Sequence, residues 1–153
     1  EQSAAVQQGI SDIVWSVNPE NDKLENMVIR MREYVAQTLE SRSIHTVINI
    51  DEHLLGKTLD MNQRRDFFLI FKEAVNNIAK YADATEVQVK LERKSNDLKM
   101  QVTDNGKGFE VSRQTSSSGL KNMKARAVSL KGTLDIQSEN GQGSSVTLII
   151  PAT

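Results

Sequence analysis

Apolar residues recur at helical spacing in four stretches of the chain. The pattern predicts helices over residues 4–17, 19–39, 60–81 and 119–131. Asn18 is a suitable N-cap for the second helix, with Pro19 at its first position, and Asp60 with Gln63 resembles a capping box. The third helix has the broadest apolar face, so we expect it to be buried at the centre of the fold.

Alternating apolar and polar positions predict five short strands. They cover residues 44–50, 87–91, 98–102, 133–136 and 146–150. A short polar turn separates the second strand from the third, and a glycine-containing turn separates the fourth from the fifth, so each pair predicts a β-hairpin. Helices that lie together on one face of these strands predict an α+β fold, a two-layer sandwich with a mixed, mainly antiparallel sheet.

Composition narrows the class of protein. The 153 residues suit one domain, and 19 Lys and Arg against 20 Asp and Glu argue against a nucleic-acid binder. The absence of Cys excludes disulfides, thiol nucleophiles and zinc-thiolate sites. The chain contains neither a run long enough to span a membrane nor a signal peptide, so we expect a cytoplasmic segment without direct membrane contact. Because the first residue is Glu rather than Met, we expect either a processed product or a piece of a longer protein.

Polar side chains interrupt the apolar face of the third helix near its end. Glu73, Asn77 and Lys80 are spaced i, i+4 and i+7, which predicts that they share one side. A carboxylate, an amide and an ammonium in a row can hold a water, a hard cation and a phosphate, and Mg²⁺ accepts an amide oxygen beside substrate phosphates. The same spacing also suits the solvated flank of an amphipathic helix.

Glycine-rich turns place further polar groups at the ends of strands and helices. Asp104 ends a strand before the segment 105–108, and its carboxylate can accept a hydrogen bond from an exocyclic amine such as that of adenine. The segment 118–120 opens a helix whose N–H groups suit a phosphate, with the polar loop 112–118 ahead of it as a lid. Each of these features, like the turn at 141–144, fits an ordinary turn when taken alone. Their order is what indicates a nucleotide site.

The ordered motifs resemble those of the Bergerat-type ATPase superfamily, which includes gyrase B subunits, a heat-shock chaperone, mismatch-repair ATPases and sensor histidine kinases. The N box corresponds to residues 73–81, the first glycine box to 104–109, the second to 119–123 and the terminal glycine motif to 141–144. The second glycine box and the segments 13–19 and 24–27 are most similar to those of sensor histidine kinases. The resemblance implies the Bergerat fold, with residues 1–18 as the end of a dimerisation helix and its linker, and residues 19–153 as the ATP-binding catalytic domain.

The resemblance also implies roles for individual residues. Asn77 is implied as the Mg²⁺ ligand, Lys80 as a catalytic group that faces the phosphates, and Glu73 as the polarising acid, with a base beside the phosphoacceptor as the alternative. The other implied nucleotide-binding residues are Asn76, Tyr81, Asp104, Gly106, Gly108, Phe109, Gly119, Leu120, Gly143 and Ser144. Many relatives have His at the position of Tyr81 and Thr at that of Ser144. Both replacements keep a hydrogen-bonding group, so we expect ATP binding to persist.

The implied function is that of the ATP-binding catalytic domain of a bacterial two-component sensor histidine kinase, which presents the ATP γ-phosphate to a His outside this sequence. Neither His45 nor His53 is followed by an acidic residue on a helix, as such a phosphoacceptor is. The implied partners are the dimerisation and phosphoacceptor domain of the same kinase and a response regulator. The alternatives are an anti-sigma-factor-type serine kinase, or another nucleotide-dependent protein-binding module, and a degenerate fold that binds no nucleotide.

Overall fold

The helices and strands follow the predicted order. A computed structural model of the protein describes residues 23–108, 118–139 and 141–151. The α-helices in this part of the chain are α1 (Leu24–Thr38), α2 (Met61–Asn77) and α3 (Ser118–Ser129). The strands are β1 (His45–Ile50), β2 (Glu86–Lys94), β3 (Asp97–Asp104), β4 (Thr133–Glu139) and β5 (Gly143–Pro151). Short 3₁₀ turns cover Glu40–Arg42 and Glu52–Leu54, a π-helical turn over Ile78–Ala82 extends α2, and the predicted helix over 4–17 lies outside the described residues.

The five strands form one mixed sheet in the order β1-β2-β3-β5-β4. Strand β1 runs parallel to β2, and the other neighbouring strands are antiparallel. The two predicted hairpins, β2–β3 and β4–β5, are therefore confirmed. The pairing of β3 with β5 sets Asp104 opposite Ser144. The prediction of a mixed, mainly antiparallel sheet is also confirmed.

The hydrophobic core lies between the helices and one face of the sheet. Alternate residues of β3 are buried, which is the pattern of a strand with one covered face. Helix α2 contributes three buried phenylalanines, namely Phe67, Phe68 and Phe71. The predicted two-layer α+β arrangement and the buried central helix are thus confirmed. No helix within the described ranges has both the length and the apolar character needed to cross a membrane.

The start of α1 differs from the prediction, whereas the start of α2 agrees with it. Lys23 has an extended backbone, with φ −77° and ψ 141°, and forms an isolated antiparallel bridge with Thr58. Helix α1 therefore begins at Leu24, and the predicted start at residue 19 is wrong. The predicted capping box is confirmed, because the Asp60 carboxylate accepts the Gln63 N–H at 2.8 Å and the Gln63 side chain accepts the Asp60 N–H at 3.0 Å.

Candidate functional site

A narrow pocket lies between the end of α2, the first turns of α3 and the sheet. The polar and aromatic residues that line this pocket are Asn77, Tyr81 and Ser144, and Gly108 lines it with its backbone. The remaining lining residues are apolar: Ala74, Ile78, Ala82, Val102, Leu120, Met123, Ile136 and Val146. Apolar walls with a few fixed polar groups are typical of small-molecule sites.

Asp104 lies beside this pocket as the last residue of β3. Its side chain is buried, with the residue only 4% exposed, and it does not itself line the pocket. One carboxylate oxygen accepts the Gly106 N–H at 2.8 Å, and the other accepts a hydrogen bond from the Ser144 hydroxyl. Because Ser144 lines the pocket, the carboxylate is connected to the pocket through this hydroxyl. A carboxylate with two donors still has lone pairs for a further hydrogen bond.

Asn105 fixes the turn that follows Asp104. Its Oδ1 accepts the backbone N–H groups of Thr85 and Glu86, both at 2.9 Å, and its Nδ2 donates to the Thr85 hydroxyl at 2.8 Å. These bonds tie the end of β3 to the start of β2, and so they hold Asp104 in place. From the sequence, Asn105 was expected only as part of a turn. The local signal available was an Asn-Gly pair directly after a strand.

Two glycines allow the β4–β5 turn to approach the residues around Asp104. Gly108 has φ +72° and Gly143 has φ +80°, a region that side chains with a Cβ rarely adopt. A Cβ added at Gly143 would overlap the Asp104 carbonyl, and one added at Gly108 would overlap the Glu139 carbonyl. The glycines of these two predicted motifs therefore mark positions where separate segments touch.

The end of α2 is held against the first glycine box. The Lys107 N–H donates to the Ala82 carbonyl at 2.7 Å, and a Cβ at Gly106 would overlap the same carbonyl. This contact fixes the π-helical turn Ile78–Ala82, which carries Tyr81 at the pocket, 55% exposed. Turns of this kind within helices are frequent at functional sites.

A second, more polar pocket lies between α2 and α3. Its lining residues are Leu69, Lys72, Glu73, Asn76, Asn122, Met123 and Arg126. Met123 lines both pockets, so the two are adjacent. The Glu73 carboxylate is so close to the α-carbon of Gly119 that a Cβ there would overlap it. Glu73 thus lies at the first turn of α3, where unpaired helix N–H groups favour a negative charge.

The three polar residues predicted to share one side of the third helix lie in different surroundings. Asn77 lines the first pocket and Glu73 the second, whereas Lys80 is exposed and lines neither. That Glu73, Asn77 and Lys80 share one side stays a prediction. Lys80 lies in the π-helical turn that follows Asn77.

Within the described part of the chain, the predicted site residues other than Lys80 fall into three groups. The first group lines the first pocket and consists of Asn77, Tyr81, Gly108, Leu120 and Ser144. The second group borders this pocket and consists of Asp104 with Gly106 and Gly143, two glycines that contact Asp104 or Ala82. Glu73, Asn76 and Gly119 belong to the second pocket or contact it, and Phe109 lies outside the described residues. Apart from Leu120, the residues of the apolar wall were not predicted, because a buried side chain next to a ligand has the same sequence pattern as one in the core.

A model of the family described as "Histidine kinase-, DNA gyrase B-, and HSP90-like ATPase" matches residues 62–153, more than half of the chain. The chain belongs to this family. The match includes all four motifs, from the N box at 73–81 to the terminal glycine motif at 141–144. The resemblance inferred from these motifs is thereby confirmed, and the domain is of an ATP-binding type.

Curated relatives of the chain are histidine kinases. It is 32% identical over 130 residues to the signal transduction histidine-protein kinase/phosphatase DegS of Brevibacillus brevis, covering 83% of this chain and 33% of that protein. It is 29% identical over 122 residues to the sensor histidine kinase LiaS of Bacillus subtilis (strain 168), covering 79% of this chain and 34% of that protein. The chain thus spans about a third of the length of these relatives.

Solved histidine kinase structures share the fold. The Acinetobacter baumannii histidine kinase AdeS aligns with a TM-score of 0.72 and 17% identity, over 99% of this chain and 81% of that one. The histidine kinase domain of the Erythrobacter litoralis EL346 blue-light activated histidine kinase aligns with a TM-score of 0.71 and 16% identity, over 85% of this chain and 61% of that one. The α+β fold predicted for a histidine kinase catalytic domain is therefore confirmed.

Proposed function

We propose that residues 19–153 are the ATP-binding catalytic domain of a bacterial two-component sensor histidine kinase, and that residues 1–18 are the end of its dimerisation helix and linker. The domain binds Mg·ATP and presents the γ-phosphate to a His outside this sequence. The observation that carries the proposal is that Asn77 lines the same pocket as Ser144, whose hydroxyl is bonded to Asp104. The sensor kinases among the curated relatives support it.

The Asp104 end of the pocket suits adenine. A purine is flat and largely apolar, with an amine on one edge, so it needs apolar walls and a hydrogen-bond acceptor. Val102, Met123 and Ile136 contribute to such walls, and the Asp104 carboxylate with its Ser144 partner contributes the acceptor. Adenine recognition is therefore the role we assign to this end.

The Asn77 end suits a cation that is held largely by the nucleotide. Within the described residues, no group of three His, Cys, Asp or Glu side chains could hold a metal ion. Asn77 offers an amide oxygen, a ligand that Mg²⁺ accepts when phosphate oxygens complete its shell. When bound, Mg²⁺ neutralises charge on the phosphates. The first turn of α3 at Gly119 supplies backbone N–H groups for the same phosphates, and the exposed Lys80 supplies a positive charge.

Phosphoryl transfer needs an acceptor from another part of the kinase. A nitrogen of the acceptor imidazole forms a bond to the γ-phosphorus while the bond from that phosphorus to the bridging oxygen breaks, and ADP leaves. Glu73 in the second pocket is our candidate to receive the imidazole proton, and a base beside the acceptor is the alternative. The partners are the dimerisation and phosphoacceptor domain of the same kinase and a response regulator, in the cytoplasm.

Calorimetric titration with ATP and Mg²⁺ tests the nucleotide site. We expect Asp104→Asn to weaken ATP binding about 10- to 100-fold, the usual worth of a hydrogen bond to a charged group. Asn77→Ala should remove the advantage given by Mg²⁺ while binding in EDTA persists. Asp135→Asn is the matched control, because Asp135 is an exposed residue of β4 away from the pocket. Equal and negligible heats for the wild type and Asp104→Asn would contradict the proposal.

Labelled ATP tests the division between catalytic domain and phosphoacceptor. The chain alone should bind ATP without phosphorylating itself, because both of its histidines lie outside the two pockets. Stable phosphohistidine at His45 or His53, located by mass spectrometry, would show that the acceptor lies within this sequence and would refute this part of the proposal.

A further inference from the structure

Tyr34 of α1 forms a directional bond to the residue beside Asn77. Its hydroxyl donates to the side-chain Oδ1 of Asn76 in α2. The Tyr34 ring is buried and packs edge-to-face on Phe68, with centroids 6.1 Å apart, and the Lys72 Nζ lies 5.6 Å from the centre of the Tyr34 ring. These ring contacts already join α1 to α2. The hydroxyl adds a contact whose direction depends on the orientation of Asn76.

Arg42, which follows α1, makes a second hydrogen bond, to the π-helical turn that extends α2. Its guanidinium Nη1 donates to the Ala79 carbonyl at 2.7 Å. Ala79 belongs to the π-helical turn that carries Tyr81 at the first pocket. Carbonyls at the end of a helix lack intrahelical donors, so an external donor fixes their position. The bonds from Tyr34 and Arg42 thus bracket Asn77, one residue before it and two residues after it.

We propose that Tyr34 and Arg42 are positioning residues that orient Asn77 and so set the Mg²⁺-dependent part of the affinity for ATP. This inference rests on the proposed function. Successive side chains on a helix are about 100° apart, so a fixed Asn76 side chain also fixes the rotation of the helix at Asn77. A displacement of α1 along α2 would move both bonds. Helix α1 therefore links movement in the preceding part of the chain to the orientation of Asn77, the proposed Mg²⁺ ligand.

Tyr34→Phe tests the hydroxyl while it keeps the ring and its packing on Phe68. The readout is the ratio of the ATP dissociation constant in EDTA to that in Mg²⁺. We expect the substitution to lower this ratio about 3- to 10-fold, as the loss of one ordinary hydrogen bond would, with the constant in EDTA unchanged. A purely structural role would instead weaken binding equally in both conditions or lower only the melting temperature.

Arg42→Met tests the second bond against a matched control. Arg93 is also exposed and donates to a backbone carbonyl, that of Ser95 at 2.9 Å, at the far end of β2 from the site. Arg42→Met should lower the Mg²⁺ ratio, Arg42→Lys should largely restore it because Lys keeps a donor, and Arg93→Met should leave it at the wild-type value. In a double-mutant cycle, the effects of Tyr34→Phe and Asn76→Ala on the ratio should be less than additive, because both remove the same bond.

The outcomes separate this inference from the proposed function. A wild-type chain that binds no nucleotide in either condition would refute both. A wild-type chain with a clear Mg²⁺ advantage that Tyr34→Phe and Arg42→Met leave unchanged would refute the inference alone. Equal losses in Mg²⁺ and in EDTA would also refute it, because they would show that these residues do not act on the metal-dependent part of binding.

Discussion

Gly141 and Gly143 in the β4–β5 turn form a natural pair for testing the packing around Asp104. Their φ angles are +81° and +80°, so an Ala at either position meets the same backbone strain. A Cβ at Gly141 has nothing within 4 Å, whereas a Cβ at Gly143 would overlap the Asp104 carbonyl. The difference between the two alanine variants therefore isolates the effect of this contact.

The expected loss of unfolding free energy follows from the backbone strain and from the overlap with the Asp104 carbonyl. Left-handed strain lowers the free energy of unfolding by about 1–2 kcal/mol, which is our expectation for Gly141→Ala. Gly143→Ala adds an overlap with backbone, and overpacking of this kind is worth about 1–3 kcal/mol more. Because relief of the overlap must displace the Asp104 backbone, Gly143→Ala should also weaken ATP binding about 10-fold or more, the effect expected when a charged hydrogen bond is disturbed. Gly141→Ala should leave ATP affinity at the wild-type level.

Urea unfolding followed by circular dichroism, together with ATP titration, measures both effects. Gly56→Ala is a third variant, because a Cβ there also meets nothing within 4 Å and the residue lacks a positive φ. We expect stability to decrease in the order Gly56→Ala, Gly141→Ala, Gly143→Ala. Equal losses of unfolding free energy for Gly141→Ala and Gly143→Ala, with equal ATP affinities, would refute the reasoning that contact with Asp104 sets the geometry of the site.

Two further substitutions test the contacts that hold the site together. Arg126→Met removes a guanidinium 3.2 Å from the buried Asp66 carboxylate and should lower the unfolding free energy by about 1–2 kcal/mol, because the Arg126 side chain is 35% exposed and the Arg65 Nε, 3.4 Å from the same carboxylate, remains. Unchanged stability would contradict this. Asn105→Ala removes the acceptor of the exposed Thr85 and Glu86 N–H groups and should lower the unfolding free energy by about 0.5–1.5 kcal/mol in the same assay. Asn49→Ala, at an exposed position of β1, is its control, and equal effects of the two would count against the role of Asn105.

Local patterns in the sequence were sufficient for most of the secondary structure. The capping box at Asp60 and the broad apolar face after it predicted α2, because capping and periodicity depend on residues only a few positions apart. Both hairpins were predictable for the same reason. Local signals failed at the start of α1, where the bridge of Lys23 with Thr58, a residue 35 positions away, keeps the backbone extended. The π-helical turn after Asn77 was likewise absent from the sequence pattern.

The sequence by itself determined the order of the elements, the four nucleotide-site motifs and the family to which they belong, because all of these are written in short-range spacing. Only the tertiary structure placed Ser144 opposite Asp104, Asn105 on Thr85 and Tyr34 on Asn76. It also supplied the apolar wall of the pocket and the π-helical turn after Asn77. These features depend on strand register and helix packing, which are set by burial of the whole core and by hydrogen bonds between distant segments.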